Sequence, residues 1–313
     1  MIISASRRTD IPAFYSDWLM HRLTAGSVLV PNPRSVTRWG QVSLALSVVD
    51  CLVFWTKNPI PMLDKLARIE EMGYAFYFQF TLTPYGRDIE PHLPPKDELI
   101  AAFRALAKQL GKHRVQWRYD PVLLDEAHTI DWHAQQFDRL CAELADSTTR
   151  CTISFIDQYR SMKKAFRPLT QEEMTELAAT FAATARGYHL PVCTCAEAVD
   201  LSHLGISHGA CIDKSVVEAA TGCAVALPPA KNQRDACACV DSVDIGVYDT
   251  CGNGCRYCYA TWSLPRAVRQ LGAHDPHAPA LIGYPPPDAI ITQRAASSGK
   301  YTQQSLFGAE KRT

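Results

Sequence analysis

Tyr74-Ala-Phe-Tyr-Phe-Gln-Phe-Thr-Leu82 is an apolar run that is interrupted by a single amide side chain, Gln79. A short apolar run of this kind predicts a strand that is buried on both faces, as in a parallel sheet. A helical pattern over 97–110 follows, with apolar residues on one stripe, and it stops at Gly111 before a second apolar run at 115–119. Strand, helix and strand in this order predict a parallel βα unit.

The same alternation continues on both sides of this unit. Further strands are predicted at 2–5, 51–55, 151–156 and 190–195, and further helices at 61–72, 131–144 and 170–186. Beyond residue 196 the alternation weakens. We therefore predict an α/β fold with four segments: partial (β/α) barrel units at 1–195, a cysteine-rich insert at 196–250, a cysteine loop and helix at 251–273, and an extended tail at 274–313.

Charged residues follow the predicted strands. Arg7 follows the first strand, Lys57 the second, and Arg118 and Asp120 end the fourth. In a (β/α) barrel the carboxyl ends of the strands meet and form the active site. We therefore predict that these four residues line one catalytic pocket, in which guanidinium groups would suit a carboxylate or phosphate of the substrate. The alternative is that such residues begin solvated loops or cap helices.

Composition restricts the class of protein. Acidic and basic residues balance at 32 each, which argues against a protein that coats nucleic acid by charge. No secretion signal is visible, and no stretch approaches the roughly 20 apolar residues that span a bilayer, so we predict a cytoplasmic protein without a membrane partner.

Nine of the twelve cysteines lie after residue 190, which in a reducing compartment indicates metal ligation rather than disulfides. Cys51, Cys141 and Cys151 are predicted to be buried and inert.

The strongest motif is Cys251-Gly-Asn-Gly-Cys255-Arg-Tyr-Cys258, a C-x3-C-x2-C spacing between a predicted strand at 243–248 and a predicted helix at 261–271. Soft thiolates select iron–sulfur clusters or zinc. A closed zinc site takes four ligands, whereas three thiolates on a cubane cluster leave one iron open. That iron can bind S-adenosylmethionine (SAM), whose reductive cleavage gives a 5′-deoxyadenosyl radical. Gly252 and Gly254 would let the backbone fold around the metal.

This run resembles the signature of the radical SAM superfamily, in which an aromatic residue before the third cysteine packs near the adenine. Tyr257 stands at that position. The resemblance implies a catalytic 4Fe–4S cluster, SAM as cofactor, and an electron donor such as flavodoxin or ferredoxin. In most of the superfamily the cysteine loop follows the first barrel strand, whereas here it follows the last. The chain therefore resembles a circularly permuted barrel, although no clear Gly-Gly-Glu element for the SAM amino group is visible.

Further motifs narrow the resemblance; they are Ser4–Pro12, Phe54–Pro59, Trp117–Pro121 and the pair Cys237 and Cys239. Together they resemble the family known as domain of unknown function 1848, over roughly residues 1–260. The resemblance implies an iron–sulfur region at the C-terminal end of that span and leaves the substrate unnamed.

The insert offers five more thiols, Cys193, Cys195, Cys211, Cys237 and Cys239. The family resemblance favours Cys195, Cys211, Cys237 and Cys239 as ligands of an auxiliary 4Fe–4S cluster or of zinc. Cys223 is predicted to be a small buried side chain, and His203 and His208 are predicted to face solvent or form hydrogen bonds.

The tail carries Gln303-Gln-Ser-Leu306-Phe307, which resembles the peptide that docks bacterial repair and replication proteins onto the sliding clamp. The alternative is that Leu306 and Phe307 pack back on the protein.

Three functions stay open from the sequence. The first is a radical SAM enzyme acting on an unknown small molecule or nucleic acid. The second is a nucleic-acid repair or modification enzyme, similar to photoproduct lyases, in which Trp55 or Trp117 could stack on a base. The third is a zinc-stabilised binding module without catalysis.

Overall fold

The computed structural model describes residues 1–159, 166–231 and 236–301. The strands are β1 (Ile2–Ala5), β2 (Ser27–Asn32), β3 (Ser35–Ser43), β4 (Cys51–Thr56), β5 (Phe76–Thr81), β6 (Val115–Val122), β7 (Cys151–Phe155), β8 (Val192–Cys195), β9 (Ser207–Gly209), β10 (Val243–Asp244) and β11 (Ile290–Gln293). The α-helices are α1 (Ile11–Phe14), α2 (Ser16–Ala25), α3 (Leu66–Glu71), α4 (Lys96–Leu110), α5 (Ile130–Leu144), α6 (Gln171–Gly187), α7 (Lys214–Thr221) and α8 (Leu264–Gly272). Short 3-10 turns lie at Ile60–Lys65, Lys112–Arg114, Ala145–Ser147 and Ser202–Leu204.

An eight-stranded parallel sheet forms the centre of the described residues. Its strand order is β10-β1-β4-β5-β6-β7-β8-β9. The predicted parallel α/β architecture is therefore confirmed. Across the described ranges no pairing joins β9 to β10, so hydrogen bonds do not close the sheet into a barrel. The last strand of this sheet in the chain, β10, pairs with the first, β1, through Ile3 and Val243.

The opening apolar run forms β5 and is buried on both faces. On one face Phe80 stacks on Phe103 of α4, with ring centroids 5.0 Å apart. On the other face the Tyr77 hydroxyl donates to the carbonyl oxygen of Cys211 at 3.1 Å, and Gln79 Nε2 donates to the same oxygen at 2.5 Å. The side-chain alternation of a strand thus sends Phe76, Phe78 and Phe80 to the helix layer, and Tyr77 and Gln79 to the insert.

The insert packs against the face of the central sheet that lies opposite α4. Ile2, Val53 and Tyr77 from three strands share one apolar cluster with Ile212 and Val217 of the insert. The short helix expected after Asp213 is α7, and Asp213 caps it. Two strands within 196–250 extend the central sheet at its two edges: β9, which was not predicted, and β10, which was predicted over 243–248 but covers only Val243–Asp244.

The helices predicted at 97–110, 131–144 and 170–186 are confirmed, whereas the one predicted at 61–72 begins as the 3-10 turn Ile60–Lys65 and continues as α3, and local signals set the helix ends. The clearest is the capping box of α6, in which Thr170 Oγ1 accepts from the Glu173 N–H at 3.2 Å and Glu173 Oε2 accepts from the Thr170 N–H at 2.9 Å. In the part of the chain that the structure describes, no helix is both long and apolar enough to cross a membrane.

A second sheet, with strand order β11-β3-β2, was not predicted. Its hydrophobic signal is weak, because β3 buries only Trp39 and Val42 and β11 is exposed along its length. The predicted extended tail supplies β11, and it is held nearer its start by Trp18, whose Nε1 donates to the carbonyl of Ala278 at 3.0 Å.

Candidate functional site

The three-thiol loop, residues 251–258, follows β10 and leads to α8. Because β10 pairs with β1, the loop starts at the carboxyl edge of the sheet, where the charged residues predicted from the sequence also lie. Its backbone is held by side chains from distant segments. The Tyr15 hydroxyl donates to the Thr250 carbonyl at 2.6 Å, and His92 Nδ1 lies 2.8 Å from the Gly252 carbonyl oxygen.

The two glycines of the loop are required by its packing. A Cβ on Gly252 would lie 2.7 Å from Leu271 Cδ1 and 3.1 Å from Phe14 Cε1. Gly254 has φ +69°, a left-handed conformation that side chains disfavour. Gly254 therefore has a backbone conformation that favours glycine, whereas Gly252 lies where a side chain has no room, and the role of both toward a cofactor stays a prediction.

The thiols of the loop are electrostatic neighbours. Desolvation raises the pKa of Cys251 well above its usual range, and Asp10, Cys258 and Cys255 raise it further. Desolvation also raises the pKa of Cys255, with Glu90 adding to the shift. These two thiols therefore ionise only if a positive charge, such as a bound metal, compensates them.

Glu90 is a fully buried carboxylate beside the loop that the sequence analysis did not single out. Its Oε1 accepts hydrogen bonds from Lys57 Nζ and Thr83 Oγ1, both at 2.8 Å, and from the Tyr257 hydroxyl, while Oε2 accepts from Lys96. Although burial opposes ionisation, the two ammonium groups lower the pKa of Glu90 to about 2. The carboxylate is thus a charged anchor under the loop.

Glu90 positions two residues that were predicted as functional. Tyr257 is buried, and its ring faces Lys57, whose Nζ lies 5.3 Å from the ring centroid. Lys57 was predicted to line the catalytic pocket. The structure pairs its ammonium group with Glu90 and places it within electrostatic reach of Cys255. Its charge is therefore already balanced by the protein, and its catalytic role stays a prediction.

Asp10 anchors the loop from the other side and was also not singled out. Its Oδ1 accepts from Thr56 Oγ1 at 2.7 Å, and its Oδ2 accepts from the Lys57 N–H at 2.8 Å and from Asn253 Nδ2 at 3.2 Å. Burial raises the pKa of Asp10 despite these hydrogen bonds. A local signal does exist, since Asp10 precedes Pro12 at the start of α1 and caps that helix.

The second thiol group consists of Cys195, Cys211, Cys237 and Cys239. Its side chains form a hydrogen-bonded chain in which Cys195 contacts Cys211, Cys211 contacts Cys239, and Cys239 contacts Cys237. Hydrogen bonding with Cys211 lowers the pKa of Cys239 to about 5 and that of Cys195 to about 7, although burial opposes both shifts, and the same hydrogen bonds raise the pKa of Cys211 well above its usual range. The four thiols that the family resemblance favoured are therefore brought together.

Cys193, the fifth candidate thiol, lies on β8 and apart from these four thiols. It is one pleat nearer the amino end of β8, and its Sγ is 3.4 Å from Thr152 Oγ1. It borders a cavity of about 600 Å³ that Arg150, His208 and Asp213 also line. This cavity opens at the amino ends of β7 and β8, away from the three-thiol loop.

Arg118 and Asp120 lie beside the second thiol group. Arg118 Nη1 donates to Cys211 Sγ at 2.6 Å, and its Nη2 donates to Asp120, which also accepts a hydrogen bond from Ser154. Although burial opposes ionisation, Arg118 lowers the pKa of Asp120, and Lys57 contributes to the same shift. The predicted pocket residues therefore lie between the two sets of thiols, but Arg118 is already engaged by protein groups.

Arg7 completes this arrangement. The guanidinium carbons of Arg7 and Arg118 lie 5.0 and 5.4 Å from the centroid of the Trp55 ring. Arg7 is also an electrostatic neighbour of Cys239 and Cys211. Its Nη2 and the Trp55 Nε1 are buried and have no hydrogen-bond partner in the described parts of the chain.

The remaining predictions on cysteine and histidine have mixed outcomes. Cys51, Cys141 and Cys151 are buried as predicted, and burial raises the pKa of Cys51 and Cys141 to about 12. The predicted burial of Cys223 is wrong, because the residue follows the end of α7 and is partly exposed. His203 and His208 face solvent as expected.

Two predictions on ligands and partners are not decided by the structure. Over residues 1–159, 166–231 and 236–301, no group of three His, Cys, Asp or Glu side chains is already arranged to hold a metal ion. Iron–sulfur, zinc and SAM binding therefore stay predictions. The proposed clamp peptide, with Gln303, Leu306 and Phe307, lies outside the described residues.

Comparisons with known proteins bear on the family alone. No curated protein matches the chain. Three chains of solved structure match. One of them is a candidate alpha-L-fucosidase from Bacteroides thetaiotaomicron, with 11% identity, a TM-score of 0.26 and coverage of 71% of this chain and 83% of that chain. A TM-score this low carries no argument. A family model matches residues 2–260, so the chain belongs to the family described as Domain of unknown function (DUF1848).

Proposed function

We propose that the chain is a radical SAM enzyme whose catalytic 4Fe–4S cluster is held by Cys251, Cys255 and Cys258. The observation that carries the proposal is the position of β10, which lies at the sheet edge next to β1 although it is the last strand of that sheet in the chain. A cysteine loop after an edge strand of a parallel sheet is the arrangement expected of a circularly permuted member of that superfamily.

The donor set around the loop fits a cluster with one open iron. Three thiols lie on one loop, and the two buried carboxylates closest to them are committed elsewhere. Asp10 accepts four hydrogen bonds, and Glu90 accepts four, two of them from lysines. Neither carboxylate is therefore free to act as a fourth ligand, and a closed four-ligand zinc site is disfavoured.

Such a cluster, when bound with SAM, supplies the electron that breaks a carbon–sulfur bond of the sulfonium and releases methionine and a 5′-deoxyadenosyl radical. The residues of the chain would bind the cofactors and shield them from water. Lys57 keeps a positive charge next to Cys255, and Glu90 fixes both Lys57 and Tyr257 through hydrogen bonds. Because these groups are already paired, they need no reorganisation when charge develops nearby.

The substrate would bind between the two thiol sets. There Arg118, Asp120 and Ser154 form a hydrogen-bonded wall in which the carboxylate is already neutralised by the guanidinium. We therefore assign Arg118 and Asp120 to positioning, because their charges satisfy each other before a substrate arrives. The buried aromatic and charged lining would also exclude water from a reactive intermediate.

The test is anaerobic reconstitution with iron and sulfide, followed by a reductant and SAM. The wild-type protein should release 5′-deoxyadenosine, and Cys255→Ala should release none because it removes one of three ligands. Cys223→Ser is the matched control, since that thiol lies outside both thiol sets, and it should keep the activity. A protein with a loaded cluster at the loop that gives no nucleoside product contradicts the proposal.

A further inference from the structure

Six aromatic side chains of the described residues are exposed, and four of them lie together at the carboxyl edge of the central sheet. The other two, Tyr284 and Tyr301, belong to the tail. The four that lie together are 37% to 64% exposed, and we call them the aromatic rim: Tyr159, Tyr248, Tyr259 and Trp262. Single exposed apolar residues are common on any protein, whereas a group of them marks a binding surface.

The rim crosses the mouth of the proposed substrate pocket. Four strands separate β7 from β10 in the sheet, yet the rings of Tyr159, which follows β7, and Tyr259, which comes after β10, have centroids 5.4 Å apart. The Tyr259 hydroxyl donates to the Arg7 carbonyl at 2.6 Å, and Asp120 is one of its electrostatic neighbours. The rim therefore lies next to a residue that we assign to substrate positioning.

Hydrogen bonds hold Trp262 in one orientation although its ring is exposed. Its Nε1 donates to the Tyr259 carbonyl at 3.0 Å, and its backbone N–H donates to Asp249 Oδ1 at 2.5 Å. The same oxygen accepts from the Ser263 N–H at 3.0 Å. An aromatic ring that is already ordered loses little conformational entropy when a planar group stacks on it. Trp262 is thus a preformed stacking surface.

Arg8 adds a positive charge to the rim. Its guanidinium carbon lies 5.2 Å from the centroid of the Tyr248 ring, and its Nη1 donates to the Gly246 carbonyl at 3.4 Å. Its Nε lies 3.9 Å from Asp244, which is longer than the roughly 3.2 Å of a hydrogen bond. Asp244 instead accepts hydrogen bonds from two serine hydroxyls. The Arg8 guanidinium is therefore able to donate to a further anion.

The segment after the three-thiol loop is also basic, although the whole chain is neutral. Residues 250–274 contain three arginines, Arg256, Arg266 and Arg269, and no acidic residue. Arg266 lies on α8, and its Nη1 is 3.8 Å from Asp249, whose Oδ1 already accepts two backbone N–H groups. Rings and guanidinium groups thus alternate from the mouth of the pocket along the start of α8.

This combination matches one class of ligand. An acidic protein would match the arginines alone, whereas a single-stranded nucleic acid has phosphates for the arginines and unpaired bases for the rings. The two tryptophans that the sequence suggested for stacking are less suited to it. Trp117 is fully buried, and the Trp55 ring already contacts two guanidinium groups.

We propose that the aromatic rim, together with Arg8 and Arg266, binds single-stranded nucleic acid and presents one nucleotide to the pocket beneath it. Bases would stack on Trp262 and on the pair of Tyr159 and Tyr259, and the two arginines would donate hydrogen bonds to phosphates. The inference rests on the proposed function for its chemistry, but the binding itself requires neither a cluster nor SAM.

The first test is fluorescence anisotropy of a labelled single strand of about 12 nucleotides, as DNA and as RNA, with the full chain and without SAM or reductant. The wild type should bind, and Trp262→Ala should bind roughly 5- to 150-fold more weakly because one stacked base is lost. Tyr301→Ala is the matched control, since Tyr301 is as exposed as Trp262 but follows the tail residues that bind Asp50 at the amino edge of the sheet. Equal binding by Trp262→Ala and the wild type overturns the proposal.

The second test measures the salt dependence of the same binding. Arg266→Gln should lower the slope of log affinity against log salt concentration by about 0.7, because it removes one contact to a phosphate. Arg104→Gln, which removes a similarly exposed arginine on α4, should keep the slope of the wild type. An unchanged slope in Arg266→Gln contradicts the phosphate contact.

The outcome is separate from that of SAM cleavage. Binding of either DNA or RNA that depends on Trp262 supports the proposal, even if no 5′-deoxyadenosine forms. A protein that forms 5′-deoxyadenosine but binds neither strand overturns the assignment of the rim and leaves the radical SAM proposal intact. Capture of an acidic flavodoxin that depends on Trp262, with no binding of either strand, also overturns it.

Discussion

The two thiol sets differ in how the chain builds them. The three-thiol loop places Cys251, Cys255 and Cys258 within eight consecutive residues, next to the buried carboxylate of Glu90 and its two lysine partners. The second group gathers its thiols from distant segments, next to arginines. A local set can be recognised from spacing, whereas an assembled set needs the fold to bring its members together.

The protein environment shifts the pKa values of the two thiol sets differently. Desolvation and neighbouring acids raise the pKa of Cys251 and Cys255, while hydrogen bonds within the second group lower the pKa of Cys239 to about 5. The loop thiols thus depend on a bound metal to ionise, whereas in the second group the pKa is lowered for Cys195 and Cys239 and raised for Cys211 and Cys237. Substitutions that perturb one set and spare the other test this difference.

The largest effect is expected from Glu90→Gln. The substitution leaves Lys57 and Lys96 buried next to each other without their shared counter-charge, and breaking a buried ion pair costs about 3–5 kcal/mol. Urea unfolding should show this loss of stability, and iron analysis after anaerobic reconstitution should show less bound iron than in the wild type. Glu143→Gln removes a surface pair with Arg104 and should cost about 1 kcal/mol or less. Equal costs for the two variants would contradict the role of Glu90.

The pH dependence of the free energy of unfolding should also reveal the ionised Glu90. The pKa of Glu90 is lowered from 4.5 to about 2, so its contribution is present above about pH 4.5 and is lost as the pH falls toward 2. The shift corresponds to about 3 kcal/mol. Acid unfolding curves of the wild type should be steeper in this window than those of Glu90→Gln. Parallel curves would mean that Glu90 is not ionised in the folded protein.

Gly252→Ala should have an intermediate effect, limited to the three-thiol loop. Its Cβ would lie 2.7 Å from Leu271 Cδ1, and overpacking of this kind costs about 1–3 kcal/mol. Gly272→Ala is the matched control, because its Cβ meets no atom within 4 Å. Thermal unfolding should rank the control near the wild type. A neutral Gly252→Ala would show that the loop packs less tightly than described.

Cys223→Ser should have the smallest effect. The thiol is partly exposed and contacts neither thiol set, and surface substitutions stay within about 0.5 kcal/mol. Its stability and iron content should equal those of the wild type. A loss of iron would add Cys223 to the second group and break the proposed division of the cysteines.

Local signals in the sequence account for most of the central sheet and its helices. The apolar run of β5, the capping box at Thr170 and the three-thiol spacing each depend on neighbours in sequence. Contacts between distant segments were not predictable in this way. Glu90 becomes notable only when the fold sets it under Tyr257, which is 167 positions away.

The unpredicted parts of the fold have weak local patterns. The strand β9 contains three residues and has no clear apolar period, and β10 retains only two residues of the strand that was predicted over 243–248. The small sheet is mostly exposed, and its third strand comes from the tail. The insert packs on one face of the central sheet because of the path of the chain. The spacing of apolar residues in the sequence does not predict such a path.

The central claim is that one iron at the three-thiol loop is open to SAM. Its most direct test is electron paramagnetic resonance on the reconstituted and reduced Cys211→Ser variant, in which the loop is expected to hold the cluster that gives the signal. We predict that adding SAM changes the spectrum, because SAM binds the iron that has no protein ligand. A loop cluster whose spectrum is the same with and without SAM, or a loop that binds zinc alone, would contradict the account.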